Sequence, residues 1–163
     1  MPDWLAHVLA AAILWKLLIH KFNFDSKFIP IIMVGALIPD AEKMGLLLYV
    51  LAEIDIGYFL KPLHSIFGSI LLAGIISLFF YDSKRIMTIL CLGIGTHLSL
   101  DLLMSHITGG EILLLFPFSF NMYQLNLIQT DNYFPALITV LLAFLIIIYE
   151  RISRHNKDTS GSS

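Results

Sequence analysis

Long apolar runs, broken by short polar clusters, constrain this chain more than any other feature. Residues 66–81 (IFGSILLAGIISLFFY) carry no charge, and residues 134–150 (FPALITVLLAFLIIIYE) carry only the closing Glu150. Residues 4–20, 27–39 and 86–105 are also apolar, but each holds or adjoins an ionisable side chain. A helix crossing a bilayer needs about 20 mainly apolar residues, with a range of roughly 17–25. The pattern therefore predicts an all-α fold, a polytopic membrane helical bundle with about five membrane-embedded segments. Residues 1–155 are expected to form one membrane-embedded domain, and 156–163 a disordered tail. Charged residues make up 13% of the chain, against about 25% in soluble domains. The acidic start Met1-Pro2-Asp3, with no small-residue cleavage site after the first apolar run, predicts that residues 4–20 are a retained helix and not a signal peptide.

Two segments are less regular. Residues 44–60 are apolar but interrupted by Glu53 and Asp55. Carboxylates at mid-membrane are costly, so this stretch is expected to lie along the outer interface. Residues 111–128 contain Pro117, Asn121 and Gln124 and are read as interfacial or re-entrant. The aromatic stretch Phe116-Pro117-Phe118-Ser119-Phe120 fits an interface belt, with a lid as the alternative.

Charge sets the expected topology. If 44–60 does not cross, Lys21, Lys27, Lys84, Arg85, Arg151, Arg154 and Lys157 fall on one side, and Lys43 and Lys61 on the other. Cytoplasmic loops are enriched in Lys and Arg. The expectation is an integral plasma (inner) membrane protein with its N-terminus outside and its C-terminus in the cytoplasm. On that topology His7, Asp40, His64, His97 and Asp101 all reach the outer half of the bundle. His97 and Asp101 are four residues apart and share a helix face. Imidazole with carboxylate suits a divalent transition metal such as zinc, which lowers the pKa of bound water to about 7. Such a cluster predicts a site on the extracytoplasmic side.

Simpler roles exist for each residue. A buried His can bond a backbone carbonyl, Asp40 can cap the helix after Pro39, and His64-Ser65 can open the next helix. Ser65, Thr96 and Ser99 read as packing or supporting groups, and Gly93-x-Gly95 as a close helix contact. The chain contains neither a phosphate-binding glycine loop nor a G-x-S-x-G nucleophile elbow. The single Cys91 excludes a disulfide framework and a cysteine-based zinc motif. The net charge of −2 gives no basic surface for nucleic acid.

The order His7, Ile38-Pro39-Asp40, His64-Ser65, Gly93-x-x-Thr96-His97-x-x-x-Asp101 and Leu115-Phe116-Pro117 resembles the membrane-bound metal-dependent hydrolases, which include the LexA-binding inner-membrane-associated hydrolases. The resemblance runs over roughly residues 1–120. That family is remotely similar to zinc-dependent phospholipases C and single-strand nucleases, which carry an H-x-x-x-D pair followed by a further His. His97, Asp101 and His106 are similar in this respect. The resemblance implies phosphoester hydrolysis, with His7, Asp40, His64, His97, Asp101 and His106 as metal ligands and Asp40, Glu42, His97 and Asp101 as catalytic groups. The chain departs from the family in having Glu42 for a second Asp and Lys61-Pro62-Leu63-His64-Ser65 for a longer His-Arg-Gly motif. It also has no second H-x-x-x-D pair beyond residue 106, so one or two divalent ions, zinc foremost, are expected. Membrane lipid is the expected environment and substrate. The alternative from a different class is a non-catalytic metal-binding membrane protein, a carrier or an assembly partner.

Overall fold

The structure is a computed structural model and describes residues 3–22, 25–54, 56–105, 113–121, 123–125, 127–129 and 134–160. Helix α1 spans Asp3–Phe22. A single 3-10 turn, Ser26–Phe28, is capped by the Asp25 carboxylate, which accepts from the Lys27 amide at 2.9 Å. Helix α2 (Ile29–Leu37) follows, with a proline in its first turn, where a missing N–H costs nothing. It ends at a second 3-10 segment, Pro39–Lys43. Two short helices come next, α3 (Met44–Ala52) and α4 (Gly57–Leu60), and then a third 3-10 turn, Lys61–His64. Helices α5 (Ile66–Ser77), α6 (Ser83–Leu103) and α7 (Phe134–Ser160) complete the helical framework. Strands β1 (Met104–Ser105) and β2 (Ile128–Gln129) form one short parallel pairing, which the all-α expectation did not include.

Among the described residues, two helices are long and apolar enough to cross a membrane, Ser83–Leu103 and Ala136–Ser153. Three shorter apolar helices, Trp4–Ile19, Ser26–Leu37 and Ile66–Ser77, stand where the other expected segments were placed. Segment 44–60 is broken into helices of nine and four residues. The longer would span about 14 Å at 1.5 Å per residue, half of a bilayer core, and Val50, Leu51 and Phe59 point outward. Residues 156–160, expected within a disordered tail, continue α7.

Helices α1, α2, α5 and α6 pack on one another around two apolar clusters. One joins Ala11, Trp15, Ile32, Ala36 and Ile89. The other joins Ile38, Ala73, Ile86, Leu90, Ile94 and Leu98. The tightest crossing is α2 on α6. A Cβ on Gly93 would fall 2.3 Å from the Ile32 carbonyl oxygen, and one on Gly35 2.5 Å from the Leu90 carbonyl oxygen. Backbone therefore lies against backbone, which only these two glycines permit. Helix α7 leans on α1, tied by Lys16 Nζ to Glu150 Oε2 at 2.6 Å.

Gly95, two residues from Gly93, is different, since nothing among the described residues lies within 4 Å of a Cβ placed there. Gly93→Ala should lower the stability of detergent-solubilised protein by about 3 kcal/mol, the upper range for overpacking. Gly95→Ala should leave it unchanged or raise it by up to about 1 kcal/mol, since alanine costs less entropy in a helix. Equal melting temperatures for the two variants would contradict the crossing.

Candidate functional site

Four ends of the framework meet at one end of the bundle. His7 projects from the second turn of α1, Asp40 and Glu42 from the segment after α2, His64 from the turn before α5, and His97 and Asp101 from the last turns of α6. His7, Asp40, His97 and Asp101 are buried, each 4% exposed or less. The cluster is thus charged and polar chemistry held out of water, an expensive arrangement unless it is paired or binds a cation.

Asp101 is the centre. Its Oδ1 lies 3.0 Å from His7 Nε2, and its Oδ2 lies 2.8 Å from His64 Nε2 and 2.9 Å from His97 Nε2. Asp40 Oδ1 stands 3.8 Å from both His64 Nδ1 and His97 Nε2, and 2.6 Å from Lys43 Nζ. The rings of His7 and His97 are stacked, with centroids 3.9 Å apart. Ligand atoms of His7, His97 and Asp101 lie within 4.8 Å of one another, and so do those of Asp40, His64 and His97.

The position of each ring has a local cause. His97 Nδ1 donates to the Ala36 carbonyl at 2.6 Å, a contact made possible by the glycine crossing one turn away. A carbonyl can only accept, so Nδ1 carries the proton, and a neutral His97 presents a bare Nε2 to the carboxylates. His64 is set by the start of α5. Ser65 caps that helix, accepting from the Gly68 amide at 3.0 Å and donating to the Pro62 carbonyl at 2.7 Å. Ser69 donates to the Leu63 carbonyl at 2.7 Å. A Cβ on Gly68 would sit 2.1 Å from the Pro62 oxygen, so glycine is what lets the turn fold down onto α5. The capping reading of His64-Ser65 holds for Ser65, while His64 reaches the cluster. Glu42 Oε1 meets His64 Nδ1 at 2.8 Å and fixes that ring from outside the cluster.

Several buried atoms have no hydrogen-bond partner among the described residues: His7 Nδ1, His97 Nε2 and both oxygens of Asp40. The short Lys43–Asp40 distance is an ion pair without hydrogen-bond alignment. Both His97 Nε2 and Asp40 are thus aimed into the cluster with unspent acceptor capacity. His106 lies outside the described residues. Sequence reasoning missed the Ala36 carbonyl and Ser69. A backbone carbonyl carries no side-chain signal, and Ser69 resembles any small residue in an apolar helix. Thr96 and Ser99 donate to the carbonyls of Gly93 and Gly95 in their own helix and take no part in the cluster through those bonds.

Burial opposes a charge on His64, but its hydrogen bonds to Asp101 and Glu42 and the charges of those carboxylates outweigh it, and its pKa is pushed up to about 9. A folded value raised above the unfolded 6.5 contributes stability that is complete below pH 6.5 and lost as pH rises through about 9. In chelator-treated protein the melting temperature should accordingly fall between those pH values, and His64→Gln should flatten the slope. A melting temperature that rose over that interval would show the ring to be neutral in the fold.

Neither the curated proteins nor the solved structures include a match to this chain. A family profile described as YdjM inner membrane protein matches residues 1–158, in keeping with the inner-membrane placement and the LexA-associated family that the motifs resemble. Matched over nearly its whole length, the chain belongs to the YdjM inner membrane protein family.

Proposed function

We propose that the chain is a metal-dependent hydrolase of the inner membrane, cleaving a phosphoester of a membrane lipid at the extracytoplasmic face. The observation that carries this reading is the His97 ring. Its one proton is given to Ala36, so its bare Nε2 faces Asp101 Oδ2 at 2.9 Å, two lone pairs in contact. A shared cation removes that conflict. Protonating His97 would remove it too, but would set a second imidazolium beside His64 in a buried space. A carbonyl-anchored imidazole aimed at a carboxylate is the usual support of a metal-ligating histidine.

The donor set suits zinc. Bonds of about 2.0–2.1 Å in a tetrahedron place neighbouring ligands about 3.3 Å apart, and the separations here run from 2.8 to 3.8 Å. His97 offers only Nε2, so the two overlapping groupings describe placements of one ion. His7, His64, His97 and Asp101 would hold it, with Asp40 at its edge. When bound, the ion polarises the phosphoryl oxygen and favours deprotonation of water.

The residues of this chain do the rest. Asp40, whose oxygens make no aligned hydrogen bond among the described residues, accepts the proton of the attacking water. The water oxygen bonds to phosphorus as the ester P–O bond breaks, and Asp40 returns the proton to the leaving oxygen. Glu42 keeps His64 in its ligating orientation, and Lys43, part-exposed beside Asp40, attracts the anionic head group. If α1, α2 with its flanking 3-10 turns, α5, α6 and α7 each pass the membrane, the site lies on the side opposite the Lys and Arg excess.

Protein purified with zinc should contain about one ion per chain, and His97→Ala should lose it. Binding should displace the His64 proton, so affinity should rise with pH up to about 9. Asp40→Asn should retain the metal and lose about 10²–10⁴ in turnover on phospholipid substrates. Folded wild-type protein that binds no zinc sinks the metal reading. Metal without hydrolysis across a phospholipid panel favours a carrier or assembly partner. For orientation, Lys84→Cys in a Cys91→Ser background should resist an impermeant thiol reagent applied to intact cells, and labelling there would invert the topology.

A further inference from the structure

A lysine stands at the rim of the cluster, in contact with one of its buried carboxylates. The segment Pro39–Lys43 is a 3-10 helix, with about three residues per turn, so Asp40 and Lys43 share one edge of it. Asp40 is buried, whereas the Lys43 side chain is 27% exposed. Lys43 Nζ lies 2.6 Å from Asp40 Oδ1 and 5.8 Å from the centre of the Trp4 ring. Trp4 precedes His7 by three residues on α1, on the same flank of that helix, and is 51% exposed. One ammonium therefore bridges a buried carboxylate of the cluster and an aromatic face open to the surroundings. We propose that Lys43 selects the head group of the lipid: held between Asp40 and Trp4, it takes the phosphate of an anionic phospholipid and repels a head group that carries an ammonium of its own. This rests on the hydrolase reading for the place of the phosphate and deepens it to a substrate class.

Three observations carry it. The first is reach. Lys43 touches Asp40 directly, so a phosphate that meets the ammonium from its open side stands next to the cluster. A lysine has N–H donors to spare beyond that one contact. The second is charge. Asp40, Glu42 and Asp101 bring three negative charges, and a divalent ion with Lys43 brings three positive ones when the ligating histidines are neutral. The loaded site is balanced only with Lys43 counted. Without it an incoming phosphate meets a net negative charge. The third is the aromatic face. An indole attracts cations to its face, and an exposed tryptophan beside a phosphate site would welcome the ammonium of an ethanolamine or choline head. Here the ammonium of Lys43 already stands over that face, and a second cation there meets a like charge. Glu42, the other acid at the rim, is engaged by His64 Nδ1 at 2.8 Å.

Lys61 supplies the comparison. It is exposed and opens the 3-10 turn that ends at His64. Among the described residues, however, no ion pair or ring contact joins it to the cluster. Trp4 points to a lipid as the source of the phosphate, since an indole prefers the membrane–water interface, where lipid head groups lie.

The test uses full-length, zinc-loaded protein in detergent. The probes are short-chain phosphinate analogues of phosphatidylglycerol and phosphatidylethanolamine, with methylene in place of both ester oxygens so that neither can be cleaved. They differ in whether the head ends in hydroxyls or in an ammonium. Calorimetric titration should show the glycerol analogue binding about tenfold tighter, a difference of about 1.4 kcal/mol. Lys43→Met should bring the two affinities together while zinc content stays at the wild-type level, and Lys43→Arg should keep most of the difference. Trp4→Leu should narrow it by less than Lys43→Met, and Lys61→Met should leave it unchanged. Tryptophan emission should shift on binding of the glycerol analogue in wild-type protein and not in Trp4→Phe. The same glycerol head without acyl chains should bind more weakly; equal binding overturns the lipid as the source of the phosphate. Equal affinities in wild-type protein, an undiminished difference in Lys43→Met, or the same loss in Lys61→Met overturns the assignment to Lys43. Selection that depends on Lys43, without cleavage of either natural lipid, overturns the hydrolase reading and leaves the selection standing. Cleavage of both lipids with equal kcat/KM does the reverse.

Discussion

The contact of α2 with α6 is the constraint on which the rest depends. Gly35 and Gly93 let two backbones touch, and that approach brings the Ala36 carbonyl within 2.6 Å of His97 Nδ1. One packing feature therefore fixes which nitrogen of His97 carries the proton and which faces the cluster. In a membrane, where lipid tails are as apolar as leucine, close backbone packing replaces the hydrophobic effect as the force between helices. Here the same packing sets the chemistry one turn further along.

Asp101 gathers the remaining parts. A single carboxylate meets three imidazoles, one from α1, one from the turn before α5 and one from its own helix. Each partner has a separate support: the carbonyl of Ala36 for His97, Glu42 and the Ser65 cap for His64, and stacking on His97 for His7. Burying so many polar groups is unfavourable when any one is left unpaired. Asp40 and His97 Nε2 carry the part of that cost which the described residues leave without an aligned hydrogen bond.

Much of this was legible in the sequence. Apolar runs located α1, α2, α5 and α6 to within a few residues, and the start of α7, because a hydrophobic stretch flanked by charge is a strong and local signal. The i, i+4 spacing of His97 and Asp101 showed a shared face, since helix geometry alone decides that. Segment 44–60, read as a helix along the outer interface, is instead divided into two short helices, with Glu53 ending the first in a left-handed conformation. Less was legible where the signal is not local. The pair Gly93-x-Gly95 had the form of one packing motif, but Gly93 packs and Gly95 does not. The continuation of α7 through residues 156–160 overrode their polar composition.

The sequence by itself determined that this is a helical membrane chain with ionisable groups gathered toward one end of its helices. That follows from composition and period, which need no partner. Only the tertiary structure decided which atoms face one another: that Asp101 is the hub, that Glu42 meets His64 Nδ1, and that His97 gives its Nδ1 proton to Ala36. Those facts depend on how far apart two helices stand, and that distance is set by whether a glycine on one happens to meet the backbone of the other.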